Sequence, residues 1–461
     1  MNLTDTFVDT LYTLKENRIP DDALFMAREC LLEETGLMLA GASFQQERLT
    51  AYLDNFTGED ATVLGLGRKA SLQNAAFANG ISGHSFDFDD GHRFSTVHLA
   101  STVIPPVLAA AEKKKLGMKE ILRGIVIGYE TGIRLGQCVQ PAHRARGFHS
   151  SGTVGAVAAA AGVAALLDFD RDTMKNTMAA AFSSAAGINE MMENVSTMKP
   201  FNIGRACHDG ITAAFTAAAG FRGPYDPILG TFGYLHGACE TYNEEILKLA
   251  CREDLSAEYH ITGGYHKPYA CCRHTHGAVY AVLQAASQAG LRMDQIEKVD
   301  IKMYGQGVKG HTHTAVPSAT AAKMSTPFCI ALALKTGRIG IDSFSEENLR
   351  DGEILAFSEK VRIEPDEEMT AMVPGKRASA AFITAKDGRR FSFRADYAAG
   401  EPELPMTTED FRQKFRSLLR TLNYTEGSIA GLADLILTGS PDARELIARL
   451  SVRDGSSEHI S

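Results

Sequence analysis

The sequence predicts a mainly α protein, with a large all-helical domain joined to a smaller α+β domain. Helix-type runs rich in alanine and glycine fill almost all of residues 5–262. Strand-type alternation begins only after about residue 262. Between two β-prone runs in AAFITAKDGRRFSFRAD, Asp387-Gly388 is a strong hairpin signal. The predicted boundaries are 1–262 plus 397–461 for the helical domain and 263–396 for the α+β domain.

The helical runs follow in order. Asp21 and Asp22 come after Pro20 and open ALFMARECLLEETGLMLAG, which ends in glycine, so both start and stop signals are present. Further runs occupy Lys69–Ala78, Val103–Leu116, Lys119–Val139, Thr153–Leu167, Arg171–Ala186 and Arg205–Ala219. Small residues dominate several of them, notably GAVAAAAGVAALL, and predict closely packed helices. In the second domain, Val299, Ile301 and Met303 alternate with polar residues, and so do Val361 and Ile363. Helices over Gly277–Ala289 and Pro327–Thr336 lie between those strands. From Thr408 the pattern is helical again, with an acidic first turn, and this tail is expected to pack back on the first bundle. The ending VRDGSSEHIS reads as disordered.

Composition narrows the function. The chain has 461 residues, 44% hydrophobic and 22% charged, as expected of a globular enzyme with more than one core. A net charge of −9 argues against a protein that coats nucleic acid or anionic membrane. No apolar run reaches the length of a membrane span, and the N-terminus does not read as a signal peptide. None of the eight cysteines forms a CxxC pair, and Cys138 and Cys329 read as reduced core residues. A cytoplasmic protein is expected.

Five segments carry candidate chemistry. Between Asn79 and Glu112, three acids (Asp87, Asp89, Asp90) and three histidines (His84, His92, His98) fall within fifteen residues, ahead of an apolar helix. Acids and imidazoles together pass protons near neutral pH, although a solvated loop with capping acids is the plainer reading. In ARGFHSSGTVG, His149 precedes a helix start that favours an anion, yet a capping or core histidine looks the same. STMKPFNIGRACHDG carries Lys199, Arg205 and His208, which can clamp carboxylates, although by itself the segment reads first as a solvated lysine. GGYHKPYACCRHTHGAVYAV gathers His266, Lys267, Cys272, Arg273, His274 and His276. A metal site and a basic anion pocket compete there, and the absence of a CxxC or HExxH frame favours the pocket. Lys323 and Ser325 open a fifth segment that is also a plausible capped core helix, and His311 with His313 forms a weaker HxH pair. No P-loop, GxSxG elbow or dinucleotide fingerprint is present, so no nucleotide cofactor is expected.

Taken in order, DFDD…H, GFHSSGTVG, MKPFNIGRAC, KPYACCRHTHG and AKMSTPF resemble the MmgE/PrpD family over nearly the whole chain. The resemblance implies that the α+β domain is a lid, with the active site in the cleft beside the helical domain. It also implies a homodimer that needs no metal or organic cofactor. The reaction implied is a cofactor-independent lyase step on a small di- or tricarboxylate: dehydration, as of 2-methylcitrate, or decarboxylation, as of cis-aconitate, through an enolate-like intermediate. An epimerase of a dicarboxylate is the alternative, and a non-catalytic carboxylate-binding protein a further one. Carried over by position, Asp90, His98, His149, Lys199 and Lys267 are catalytic candidates, and Cys272 joins them. His92, Arg205, Arg273 and His276 are the substrate-binding candidates. Two departures stand out: Cys272 replaces the histidine of many members, and Phe328 replaces a frequent tyrosine.

Overall fold

The computed structural model describes residues 2–192, 196–251 and 253–452. Of the ending read as disordered, residues 453–461 lie outside the described residues. The chain divides into two compact units. The first comprises Met1–Ser85, Asp89–Gly264 and Phe411–Ser461, and the second Phe86–Phe88 and Tyr265–Asp410.

The first unit is built on long helices: Asp21–Phe44, Leu72–His84, Leu99–Lys114, Met118–Val139, Ser150–Leu166 and Lys199–Ala218. Their alanine and glycine content does what the sequence predicts. A Cβ on Gly41 would lie 1.9 Å from the Ser82 carbonyl oxygen, so the first two of these helices touch backbone to backbone. The Leu99–Lys114 helix contains Pro105 and Pro106 and remains unbroken. Each proline removes an N–H and so leaves a carbonyl four residues back without its helical partner. Those carbonyls belong to Ser101 and Thr102, and the Cys207 thiol lies 3.2 and 3.5 Å from them as a substitute donor.

The C-terminal segment from Phe411 clusters with this unit. In the Thr408–Arg420 helix, Phe411, Phe415, Leu418 and Leu419 are buried, and Lys414 pairs with the buried Glu33. The amphipathic spacing of those four side chains is what seats the helix. The first 262 residues are less uniformly helical than predicted. A small antiparallel hairpin, β1 (Ala61–Val63) with β2 (Arg68–Ala70), turns through Gly65 and Gly67, both at positive φ. Three-residue strands are too short to show a period of two. Among the described residues of 219–264, the helical segments are all short turns.

The second unit has a four-stranded sheet in the order β4-β3-β5-β6. Here β3 is Ile296–Met303, β4 Val361–Pro365, β5 Ser379–Ala385 and β6 Arg390–Ala395. β3 runs parallel to β4 and antiparallel to β5, which pairs antiparallel with β6 across the Asp387-Gly388 turn. Ile296, Val299, Ile301 and Met303 are buried and join the core beside the helices His276–Ala289 and Thr326–Thr336. Residues 397–410, placed by sequence with the helical domain, cluster with this unit. The His266 N–H donates to the Gly400 carbonyl at 2.8 Å, and Arg273 pairs with Glu401. These ties to the 265–273 segment outweigh the composition signal that suggested a boundary at 397.

Candidate active site

In the first unit, three helix N-termini carry site residues. His98 caps the Leu99–Lys114 helix, His149 caps Ser150–Leu166, and Lys199 opens Lys199–Ala218. The first two are joined directly: the His98 N–H donates to Ser151 Oγ at 3.0 Å, and Gln140 Nε2 reaches both Thr96 Oγ1 and Ser150 Oγ. Helix starts leave backbone N–H groups unpaired and favour negative charge nearby.

The acid bonded to the imidazoles is Asp89. His84 Nδ1 lies 2.9 and 2.8 Å from its two oxygens, His98 Nδ1 lies 3.3 Å from Oδ2, and the Ser101 hydroxyl lies 2.8 Å from the same oxygen. Burial works against the Asp89 carboxylate, but the two imidazoles outweigh it and hold the group ionised, well below the usual range. His84 is held down at about 4, chiefly by burial, with Lys199 adding to the effect and Asp89 opposing it. It is therefore a neutral imidazole with its hydrogen on Nδ1. Its Nε2 is buried with no hydrogen-bond partner among the described residues.

Hydrogen bonding also fixes the tautomers of the two capping histidines. His98 Nδ1 is 2.7 Å from the Asp90 carbonyl, which only accepts, so in neutral His98 the lone pair is on Nε2. His149 Nδ1 accepts from the Asn202 amide at 3.2 Å, which puts its hydrogen on Nε2. Burial, reinforced by Lys199, keeps His149 well below an ordinary histidine and hence neutral. One imidazole presents a base and the other a donor.

Other predicted residues take different places. Asp90 is buried with Oδ1 accepting from the Leu99 and Ala100 N–H groups and Oδ2 from the Tyr129 hydroxyl at 2.7 Å. It caps the helix and shapes the loop, while Asp89 holds the imidazoles. His92 is turned into the loop, where its Nδ1 lies 3.1 Å from both the N–H and the hydroxyl of Ser95. Arg205 bonds the Ser184 carbonyl and Asp209. The Nδ1 atoms of His84 and His98 both face the Asp89 carboxylate.

The buried histidines carry a stability consequence. Burial pushes His92 down to about 3, with His260 and Arg93 contributing. An unfolded histidine titrates near 6.5, so the unfolded chain takes the proton first. This contribution is complete above about pH 6.5 and falls away as the pH drops towards 3, by about 1.4 kcal/mol per pH unit. Urea unfolding between neutral and mildly acidic pH should show that slope. It should flatten in His92→Gln, and an unchanged slope contradicts the assignment.

In the second unit, Lys267 is buried and bonds the Asp87 carbonyl at 2.5 Å and its carboxylate at 2.8 Å. Asp87 has a φ of 52°, in the left-handed region, and this pair of bonds holds it there. Cys272 Sγ is 3.3 Å from His311 Nε2, whose Nδ1 donates to the Lys309 carbonyl at 2.8 Å. Burial, with Asp87 adding to it, pushes the Cys272 thiol up to about 11, so it stays protonated. Arg273 lies over the Tyr265 ring as well as pairing with Glu401. His276 is core: fully buried, bonded through Nε2 to the Cys271 carbonyl, with burial lowering its pKa. Lys323, which the sequence left undecided, sits over the Phe86 and Phe344 rings at 5.5 and 5.6 Å. No carboxylate lies within ion-pair distance of it among the described residues, and burial lowers its pKa.

Comparison with known proteins places the chain in a family. Residues 5–246 match the profile of the MmgE/PrpD N-terminal domain, and residues 269–427 that of the C-terminal domain. The chain belongs to the MmgE/PrpD family. Within it, the chain is 26% identical to a cis-aconitate decarboxylase-like protein of Aspergillus oryzae, over 98% of this chain and 97% of that one. It is 24% identical to the cis-aconitate decarboxylase of Aspergillus terreus, over 92% of this chain and 90% of the relative. The human cis-aconitate decarboxylase is also 24% identical, over 90% and 87%. No helix among the described residues is long and apolar enough to cross a membrane.

Asp89 and His84 were inside the quoted cluster, but nothing in the chain ranks them above Asp90. Ser101, Asn202 and His311 gain meaning only from the atoms they face.

Proposed function

We propose that this MmgE/PrpD protein is a lyase acting on a small di- or tricarboxylate, with decarboxylation of a cis-aconitate-like acid as the first reaction to test. The reading rests on Asp89 holding His98 as a proton-transfer imidazole, with a neutral N–H donor on His149 and the Lys199 cation on the neighbouring helix starts. It is supported by the names of its relatives. In decarboxylation, the carbon–carbon bond to a carboxylate breaks, carbon dioxide leaves, and the electron pair stays on the substrate as an enolate-like carbanion. Protonated His98 then gives its Nε2 hydrogen to carbon. In dehydration, neutral His98 takes the hydrogen α to a carboxylate and returns it to the departing hydroxide. In both, His149 Nε2–H and Lys199 stabilise the developing negative charge.

A panel of cis-aconitate, 2-methylcitrate and related acids, followed by NMR, tests the proposal. It is abandoned if no member reacts. In the second unit, Lys267, Lys323 and Arg273 are cations suited to carboxylates. Lys323→Met is expected to raise KM for the processed acid by about ten-fold or more, the worth of one charge-assisted hydrogen bond. A KM within two-fold of wild type would remove Lys323 from the binding role.

The contact between Cys272 and His311 favours epimerisation as the second reading. His311 Nε2 can take the thiol proton, which lets the thiolate remove and return an α-hydrogen. Incubation in deuterated water should then exchange that hydrogen while the carbon skeleton stays intact. Loss of carbon dioxide or water from the same acid decides for the lyase.

A further inference from the structure

Glu34 lies on the Asp21–Phe44 helix and has no exposed surface. Its Oε2 is 3.2 Å from the Ser101 hydroxyl, which is 2.8 Å from Asp89 Oδ2. A hydroxyl has one hydrogen, so it cannot donate to two ionised carboxylates at once. One of the two acids must therefore carry a proton. Asp89 has the imidazole N–H groups of His84 and His98 facing it. Glu34 has no such support: its Oε1 is buried with no hydrogen-bond partner among the described residues. A neutral carbonyl oxygen is far cheaper to leave in that position than a carboxylate oxygen.

The hydrogen bonds then run one way, from Glu34 O–H to Ser101, and from Ser101 O–H to Asp89. Gly83 makes the room, since a Cβ there would lie 1.7 Å from Glu34 Oε1. The other titratable groups facing Glu34 are Asp90, Glu33 and Cys207, none of which is cationic, and Glu33 is already paired with Lys414. Burial raises the Glu34 carboxyl well above its usual range, and Asp89 and Asp90 push it the same way.

We propose that Glu34 is a positioning residue: a permanently neutral carboxylic acid that, through Ser101, keeps the single negative charge of the network on Asp89, against His98. It touches no substrate. The inference deepens the lyase reading, but its first test does not depend on turnover. Infrared difference spectra of the intact protein at neutral pH should show the C=O stretch of a protonated carboxylic acid, shifted in deuterated water and missing from Glu34→Gln. Absence of the band in the wild type, or its persistence in the variant, overturns the proposal even if no substrate is ever found.

With an active substrate, Glu34→Leu, which cannot donate to Ser101, should lose about ten-fold or more in kcat while KM stays within about two-fold. Its pH–rate profile should move as well. Glu34→Gln, whose amide can donate in place of the O–H, should restore most of that loss. If glutamine is as impaired as leucine, or leucine is indistinguishable from wild type, the positioning role is wrong. The infrared result still decides the protonation if the leucine variant fails to fold.

Discussion

Replacing Asp89 by asparagine should reduce kcat about a thousand-fold while leaving KM within a few-fold. The carboxylate accepts from His84 Nδ1 on both oxygens and faces His98 Nδ1. An asparagine amide offers one oxygen and one NH2, and the NH2 would confront an imidazole N–H. His84 or His98 must then rotate or change tautomer, and the lone pair on His98 Nε2 leaves its working position. Fold should be retained, because asparagine has the same shape, and a thermal midpoint close to wild type checks that. A kcat within ten-fold of wild type would show that Asp89 is not the acid that organises the site. Asp90→Asn provides the contrast. Its oxygens accept from two backbone N–H groups and a tyrosine hydroxyl, so its cost should fall mainly on stability.

The second large effect is on stability. Gly41→Ala is expected to destabilise the first unit by about 3 kcal/mol or more, at the upper end of overpacking costs. The added carbon would sit 1.9 Å from the Ser82 carbonyl oxygen and 2.6 Å from its carbon. Both partners are backbone inside helices, so neither can swing away as a side-chain end could. The Asp21–Phe44 and Leu72–His84 helices would have to separate. Glu34 is on the first of them and His84 at the end of the second, so activity should fall with stability. Denaturant unfolding reads the loss directly. A change of less than about 0.5 kcal/mol, the size of an ordinary surface substitution, would mean that the helices are not in this contact. Gly427→Ala, at a position with nothing within 4 Å, is the control.

Much of the fold was legible from residues alone. Acid-rich first turns, glycine stops and alternating Val299, Ile301 and Met303 are local signals, and local geometry obeyed them. The Asp387-Gly388 turn is equally local, since glycine at positive φ costs little. What local signals missed was short or irregular: the β1–β2 hairpin, and residues 397–410, whose ties are to His266 and Arg273 far back in the chain.

The site was legible as a set of residues but not as a set of roles. The family, the helical and α+β parts, and the segments where acids, imidazoles and lysines gather can be read from the residues alone. Asp89 and Asp90 are neighbours of the same chemical type, and no spacing rule separates them. Folding turns Asp89 towards two imidazoles while Asp90 caps a helix, because successive side chains in a loop point in different directions. It likewise decided that His98 and His149 hold their hydrogens on opposite nitrogens, since a tautomer is set by its hydrogen-bond partner, and those partners are brought in by folding.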